Sequence, residues 1–166
     1  MRPERVREFV EFVSGRLPRL HRTAYLLCGD KHLAEDIVQS AVTTLFVQWK
    51  RNTVMENADG YLHRILVRRY LDERRRKWFG VLLGDRLPDT PAGPQAAVEE
   101  RDALMAALRT LPNKQRAAIV LRYYDDLSVE QAAEALQCSP STVKSQCSRG
   151  LAILREVLQT EVRVPS

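Results

Sequence analysis

The chain has 166 residues, enough for one domain or two small ones, and its 45% hydrophobic content is that of a globular protein, not a disordered tail. Twenty-six Lys and Arg against 21 Asp and Glu leave a formal charge of +5, which is compatible with nucleic acid as a partner without establishing it. No apolar run approaches the ~18 residues that span a bilayer, and the charged opening "MRPERVREFVEFV" is unlike a signal peptide, so the expected location is the cytoplasm, with no membrane insertion.

Three cysteines, an odd number, do not suggest a disulfide scaffold, and neither C-x-x-C nor a Cys/His zinc spacing is present. His21, His32 and His63 are scattered. No cofactor or metal is expected.

The first four predicted elements are helices: Glu4 to Val13, Leu17 to Cys28, Leu33 to Lys50 and Ala58 to Trp78. Gly29 suits the end of the second, and Asp30 an N-cap for the third. The third helix, "HLAEDIVQSAVTTLFVQWKR", carries an apolar stripe of Leu33, Ile37, Ala41, Leu45 and Trp49. A second stripe is polar: Asp36, Gln39 and Thr43, with Ser40 beside it. It lacks the Glu/Lys pairs that ordinarily decorate a solvated side, which points to a partner surface.

The fourth helix, "GYLHRILVRRYLDERRRKW", turns Leu62, Ile65, Leu66 and Tyr70 toward a core. Arg64, Arg68, Arg74, Arg75, Arg76 and Lys77 accumulate positive charge beyond what helix capping requires. Tyr61, Tyr70 and Trp78 offer rings on which bases could stack. From Phe79 to Ala97 the texture changes to a Pro/Gly-rich linker. Its "VLL", Val81 to Leu83, reads as a short extension of the preceding helix.

After the linker the predicted helices are Val98 to Leu111, Lys114 to Tyr124, Val129 to Leu136 and Pro140 to Leu158. Ser128 and Gln131 form a capping-box pattern, and Val129, Ala133 and Leu136 give the short third helix an inward face. Ser139 is an N-cap and Pro140 sits at the first helical position. The last helix has an inward stripe of Val143, Cys147, Leu151 and Leu154. Its other face carries Ser141, Thr142, Lys144, Ser145, Ser148 and Arg149. A short helix, a tight turn and a second helix with small polar and basic residues describe a DNA-reading helix-turn-helix. Cys147, in an apolar stripe, reads as a small buried hydrophobe, and Cys28 likewise.

The fold class is therefore all-α: two small helical domains, 1–79 and 98–166, joined by a linker at 80–97, the second a helix-turn-helix domain. An autonomous helix-turn-helix regulator fits this much, but it leaves the Asp36 stripe without a role. An enzyme with a Cys or His nucleophile is disfavoured by the scattered histidines and the apolar setting of Cys147.

The whole pattern resembles the extracytoplasmic-function (ECF) sigma factors, the minimal two-domain initiation factors of bacterial RNA polymerase. "HLAEDIVQSAVTTLFVQW" is similar to the family's "AEDLVQ" helix, and "YLHRILVRRYLDERRRKW" to its promoter-melting helix. The C-terminal domain follows with "LP…QR", "LRYY…LS" and "STVKS…R" in order, and "RTAYLLCGD" and "HLAED" resemble the actinobacterial sub-group most closely.

The resemblance implies that Asp36, Gln39, Ser40 and Thr43 contact the polymerase core. Tyr61, Arg64, Arg68 and Arg74 to Lys77 would meet the −10 element, and the loop from Arg51 to Asn57, with Asn52, would accept a flipped base. Ser141, Thr142, Lys144, Ser145, Ser148 and Arg149 would read the −35 element. The resemblance also implies an anti-sigma partner. The chain departs from the family pattern at Arg68, where Asn is frequent, at Tyr61, where Trp is common, and at Ser148, where larger residues are usual.

Overall fold

The computed structural model describes residues 2–51, 56–83 and 100–163, and among these every regular element is a helix. Helix α1 (Pro3–Ser14) and helix α2 (Leu17–Cys28) both start on a proline in the first turn, where a missing N–H costs nothing. Gly29 ends α2 in the left-handed region, with φ 73°. The Asp30 carboxylate then accepts from His32 N and Leu33 N at 2.9 and 3.1 Å and starts α3 (Lys31–Lys50).

The core of α3 is Ala34, Ile37, Val38, Ala41 and Leu45. Leu33 and Trp49, expected in that stripe, are only half-buried. The physical reason is that α2 and α4 pack on α3 from two sides, so the buried face is broader than one stripe and takes in Ala34 and Val38. Trp49 instead joins α3 to α1: its indole N–H donates to Arg5 O at 3.1 Å and its ring packs edge-on against Phe9.

Helix α4 (Ala58–Leu82) starts where the Asn57 side chain accepts from Gly60 N at 3.0 Å. It buries Leu62, Leu66, Val67 and Tyr70. It runs one turn past Trp78, so Val81 and Leu82 extend the helix, as expected. Trp78, Phe79, Val81, Leu82 and Leu83 are exposed there.

The second half holds α5 (Glu100–Arg109), α6 (Asn113–Ile119), α7 (Val129–Leu136) and α8 (Pro140–Arg163). The continuous helix expected from Lys114 to Tyr124 is interrupted. Its last part, Val120–Tyr124, is a π-helical turn in which Asp125 N donates to Val120 O at 3.0 Å. Both halves of the Ser128–Gln131 capping box are formed. Gln137 ends α7 in the left-handed region, with φ 56°. Ser139 Oγ accepts from Thr142 N at 3.1 Å and opens α8. Val143, Cys147 and Leu154 are buried as expected, and Leu151 is half-buried.

The halves are not independent. Helix α4 packs on α7, while α2 packs on α5, α6 and the π turn. The inner face of α7 is accordingly Ala132, Ala133 and Ala135, with Val129 and Leu136 only half-buried. Alanines allow the close approach of a second helix.

Candidate nucleic-acid interface

Asp36, Gln39 and Thr43 are exposed on α3, and Ser40 is half-buried beside them. The Thr43 hydroxyl donates to Gln39 O at 2.8 Å, one turn back. Among the described residues no helix covers this stripe, which leaves a carboxylate, an amide and hydroxyls in a row one helical face long.

On α4, Arg68, Arg74, Arg75 and Arg76 are exposed, while Tyr61, Arg64 and Lys77 are half-buried. Arg76 lies 3.8 Å from Glu73, one turn back on the same helix, a loose contact that leaves the cluster strongly positive. Tyr70 does not belong to this surface. Its ring is fully buried, and its hydroxyl donates to Asn113 Oδ1 and accepts from Arg116, both at 3.2 Å. Its place on the apolar face of α4 puts it in the core between the docked halves, so the base-stacking surface expected of it is not formed in this arrangement. Trp78 is exposed and Tyr61 half-exposed. Asn52 lies outside the described residues.

On α8, Ser141, Lys144, Ser148 and Arg149 are exposed, and Thr142 and Ser145 are half-buried. The Thr142 hydroxyl is 2.8 Å from Ser139 Oγ, so it is engaged in starting the helix. Gly150 faces α6 closely enough that a Cβ would meet the Ile119 side chain. That contact seats α8 with its polar face outward.

Between the halves lie two polar clusters whose pairings helical periodicity does not encode. Arg116, 5% exposed, donates to Leu108 O, Leu111 O and Leu27 O at 2.7, 2.9 and 2.8 Å, and to Arg109 O and Tyr70 Oη at 3.2 Å. Leu108, Arg109 and Leu27 lie at the C-terminal ends of α5 and α2, and Leu111 just beyond α5, where a helix end carries partial negative charge. Two helix C-termini thus take the place of a carboxylate. Burial lowers the Arg116 pKa, with the Tyr70 hydroxyl acting in the opposite direction. Burial also pushes the Tyr70 phenol up.

The second cluster surrounds Asp125, whose side chain is 1% exposed. Thr23 Oγ1 donates to it at 2.8 Å, Arg19 Nε lies 3.5 Å away and His63 Nε2 lies 3.6 Å away. Burial raises the Asp125 pKa, and Thr23, His63 and Arg19 pull it down. Arg19 also donates to Tyr124 O and lies over the Tyr124 ring, and Arg109 donates to Gly29 O. Burial raises the Cys28 and Cys147 thiols as well, in keeping with packed, unreactive side chains. Among the described residues, no group of His, Cys, Asp and Glu could hold a metal ion, and no helix is long and apolar enough to cross a membrane.

Two family models match the chain in order: Sigma-70 region 2 over residues 12–79 and Sigma-70 region 4 over residues 101–154. The helices carrying the polar stripe and the basic cluster fall in the first, and the helix-turn-helix falls in the second. Together they define a two-domain sigma factor of the sigma-70 type.

Similarity extends along most of the chain. The RNA polymerase sigma-E factor of Streptomyces coelicolor is 36% identical over 156 residues, covering 92% of this chain and 87% of that protein. The ECF RNA polymerase sigma factor SigE of Mycolicibacterium smegmatis is 33% identical, covering 89% of this chain and 60% of that protein. The sigma factor RpoE of Bartonella quintana, solved in complex with the anti-sigma factor NepR, superposes with a TM-score of 0.78 at 26% identity, covering 92% of this chain and 97% of that one. The chain belongs to the ECF RNA polymerase sigma factors.

Sequence reasoning missed Thr23, His63, Asp125 and Arg116. A polar residue on an otherwise apolar helical face, such as Thr23 between Leu20 and Leu27, was the available signal.

Proposed function

We propose that this chain binds RNA polymerase core in the cytoplasm and directs it to promoters, with no catalytic chemistry of its own. Residues 1–79 form the unit that engages core and the −10 element, residues 80–97 the linker, and residues 98–166 the unit that reads the −35 element. The observation that carries this reading is the ordered pair of sigma-70 regions, each on a half that leaves its own polar or basic face uncovered.

Asp36, Gln39, Ser40 and Thr43 contact core. The exposed arginines of α4, with Arg64, Lys77 and Tyr61, meet the −10 strand, and Asn52 lies in the loop that receives an unstacked base. Ser141, Lys144, Ser145, Ser148 and Arg149 of α8 face the major groove of the −35 element, with Thr142 holding the start of that helix. Tethering two weak DNA readers to one polymerase raises the effective concentration of each at its own site. The anti-sigma factor in the solved RpoE complex supports a comparable protein partner for this chain.

Run-off transcription with purified core polymerase and a library of promoter fragments tests the proposal. Specific transcripts should appear only when the chain is added, and the D36A/Q39A double variant should lose core binding and transcripts together. Specific binding to duplex DNA without polymerase, unaffected by D36A/Q39A, would instead identify an autonomous regulator.

A further inference from the structure

The −10 and −35 elements lie about 25 base pairs apart, which is about 85 Å of duplex. A compact body of 166 residues has a radius of gyration of about 15 Å and is about 40 Å across. With α4 seated on α7 and α2 on the π turn, the chain cannot reach both elements at once. The sixteen residues 84–99, fully extended, reach at most about 56 Å, enough for that span once the halves part and add their own width. If the proposed function holds, the arrangement seen here is a closed state that must open at a promoter.

We infer that Asp125 keeps this closed state marginal: its buried carboxylate favours separation of the halves, and Thr23, Arg19 and His63 hold them together against it. Asp125 belongs to the second half, whereas Thr23 and Arg19 of α2 and His63 of α4 belong to the first. On separation the carboxylate regains water. On closure it is withdrawn to 1% exposure and depends on donors from the other half. The strong contact is the Thr23 hydroxyl, which faces both oxygens at 2.8 and 3.1 Å. Arg19 Nε and His63 Nε2 stand at 3.5 and 3.6 Å, beyond good hydrogen-bond distance. The raised pKa of Asp125 agrees with a carboxylate that its partners compensate only in part.

A buried charge that loses a partner is left uncompensated at high cost, whereas replacing the charge and its buried partner together by apolar groups is often neutral or stabilising; with Asp125 gone, Arg19, 58% exposed, simply stays in water. Variants on the two sides of this contact should therefore act in opposite directions. Thr23→Val keeps the shape of a fully buried side chain and deletes the donor. It should shift the equilibrium toward the open state by roughly 10-fold or more, the equivalent of one charge-assisted hydrogen bond. Asp125→Ala should leave the chain at least as closed as the wild type, and T23V/D125A should close again.

Small-angle X-ray scattering of the full chain reads this without transcription. The expected radius of gyration is near the compact value for wild type, D125A and T23V/D125A, and several ångström larger for T23V. Far-UV circular dichroism of T23V, unchanged from wild type, shows that the larger radius comes from parted halves and not from unfolding. A T23V chain as compact as wild type, a double variant as extended as T23V, or a D125A chain more extended than wild type would each overturn the inference. Run-off transcription on the same samples separates the two readings. If no variant supports promoter-specific transcripts, the sigma-factor reading fails while the scattering result still decides the role of Asp125.

Discussion

Replacing Arg116 with methionine probes the buried junction most directly. Methionine fills the stem of the side chain and puts no donor at its head. The carbonyls of Leu108, Leu111 and Leu27 then lose bonds of 2.7 to 2.9 Å in a site that is 5% exposed, Leu108 O keeping its bond from Leu111 N at 3.1 Å. A buried acceptor left without a partner costs about 1–3 kcal/mol. Part of that is recovered, because burial disfavours the guanidinium charge, as its lowered pKa shows. Two carbonyls left without a donor, less that recovery, leave about 2–3 kcal/mol of destabilisation for R116M, a large share of the ~5–15 kcal/mol that holds a domain together.

Urea unfolding followed by far-UV circular dichroism measures this, provided the m-value is unchanged. R116K should fall between wild type and R116M, because one ammonium cannot match a planar fork aimed at carbonyls on two helix ends. A loss below about 1 kcal/mol for R116M would refute the idea that Arg116 caps α2 and α5 together.

Other outcomes follow from single contacts. Arg16 grips Asp59 with bonds of 2.5 and 3.0 Å and holds its carboxyl below the ordinary carboxylate range. Because the folded value is depressed, this contribution is present above the unfolded carboxylate pKa of about 4 and is lost as pH falls through the folded one. Acid titration of stability should thus be shallower in D59N than in wild type. Ser128→Ala removes the cap of α7 and should lower stability by about 1 kcal/mol in thermal melts. In polymerase-bound complexes, K144A should weaken promoter binding across sequences and reduce the salt slope by about 1, as for a phosphate contact. R149A should cost about 1–3 kcal/mol at the −35 element and relax base preference there, measured by competition between promoter duplexes.

What could be read from the sequence was local. The Asp30, Ser128 and Ser139 caps, the Gly29 stop and the bounds of α2 and α7 depend on residues within a few positions of one another, and each forms as expected. The exposed stripe on α3 and the polar face of α8 follow from helical period alone. The contacts between halves join Thr23 to Asp125 and Leu27 to Arg116, residues 102 and 89 positions apart. No periodicity encodes such a pairing. The same packing explains the two shifted stripes: α3 and α7 each have neighbours on more than one side, so Ala34, Val38, Ala132 and Ala135 are buried although a single amphipathic face would leave them out. It also explains Tyr70, whose aromatic character suggested a base-stacking role while its position on α4 assigned it to the core.

The π turn at Val120–Tyr124 sets a phase as well as a bend. A turn closed by a bond from residue 125 to residue 120 holds about one residue more than an α-helical turn, and each residue advances the chain by about 100°. Everything downstream, including the direction of the Asp125 side chain and the azimuth at which the helix-turn-helix leaves α6, inherits that offset. Deleting one residue from the turn would conserve nearly all of the composition and charge while rotating Asp125 away from Thr23 by roughly a quarter turn. In this chain, the docking of the two halves depends on the residue count within a single turn, a form of specificity that substitutions alone do not explore.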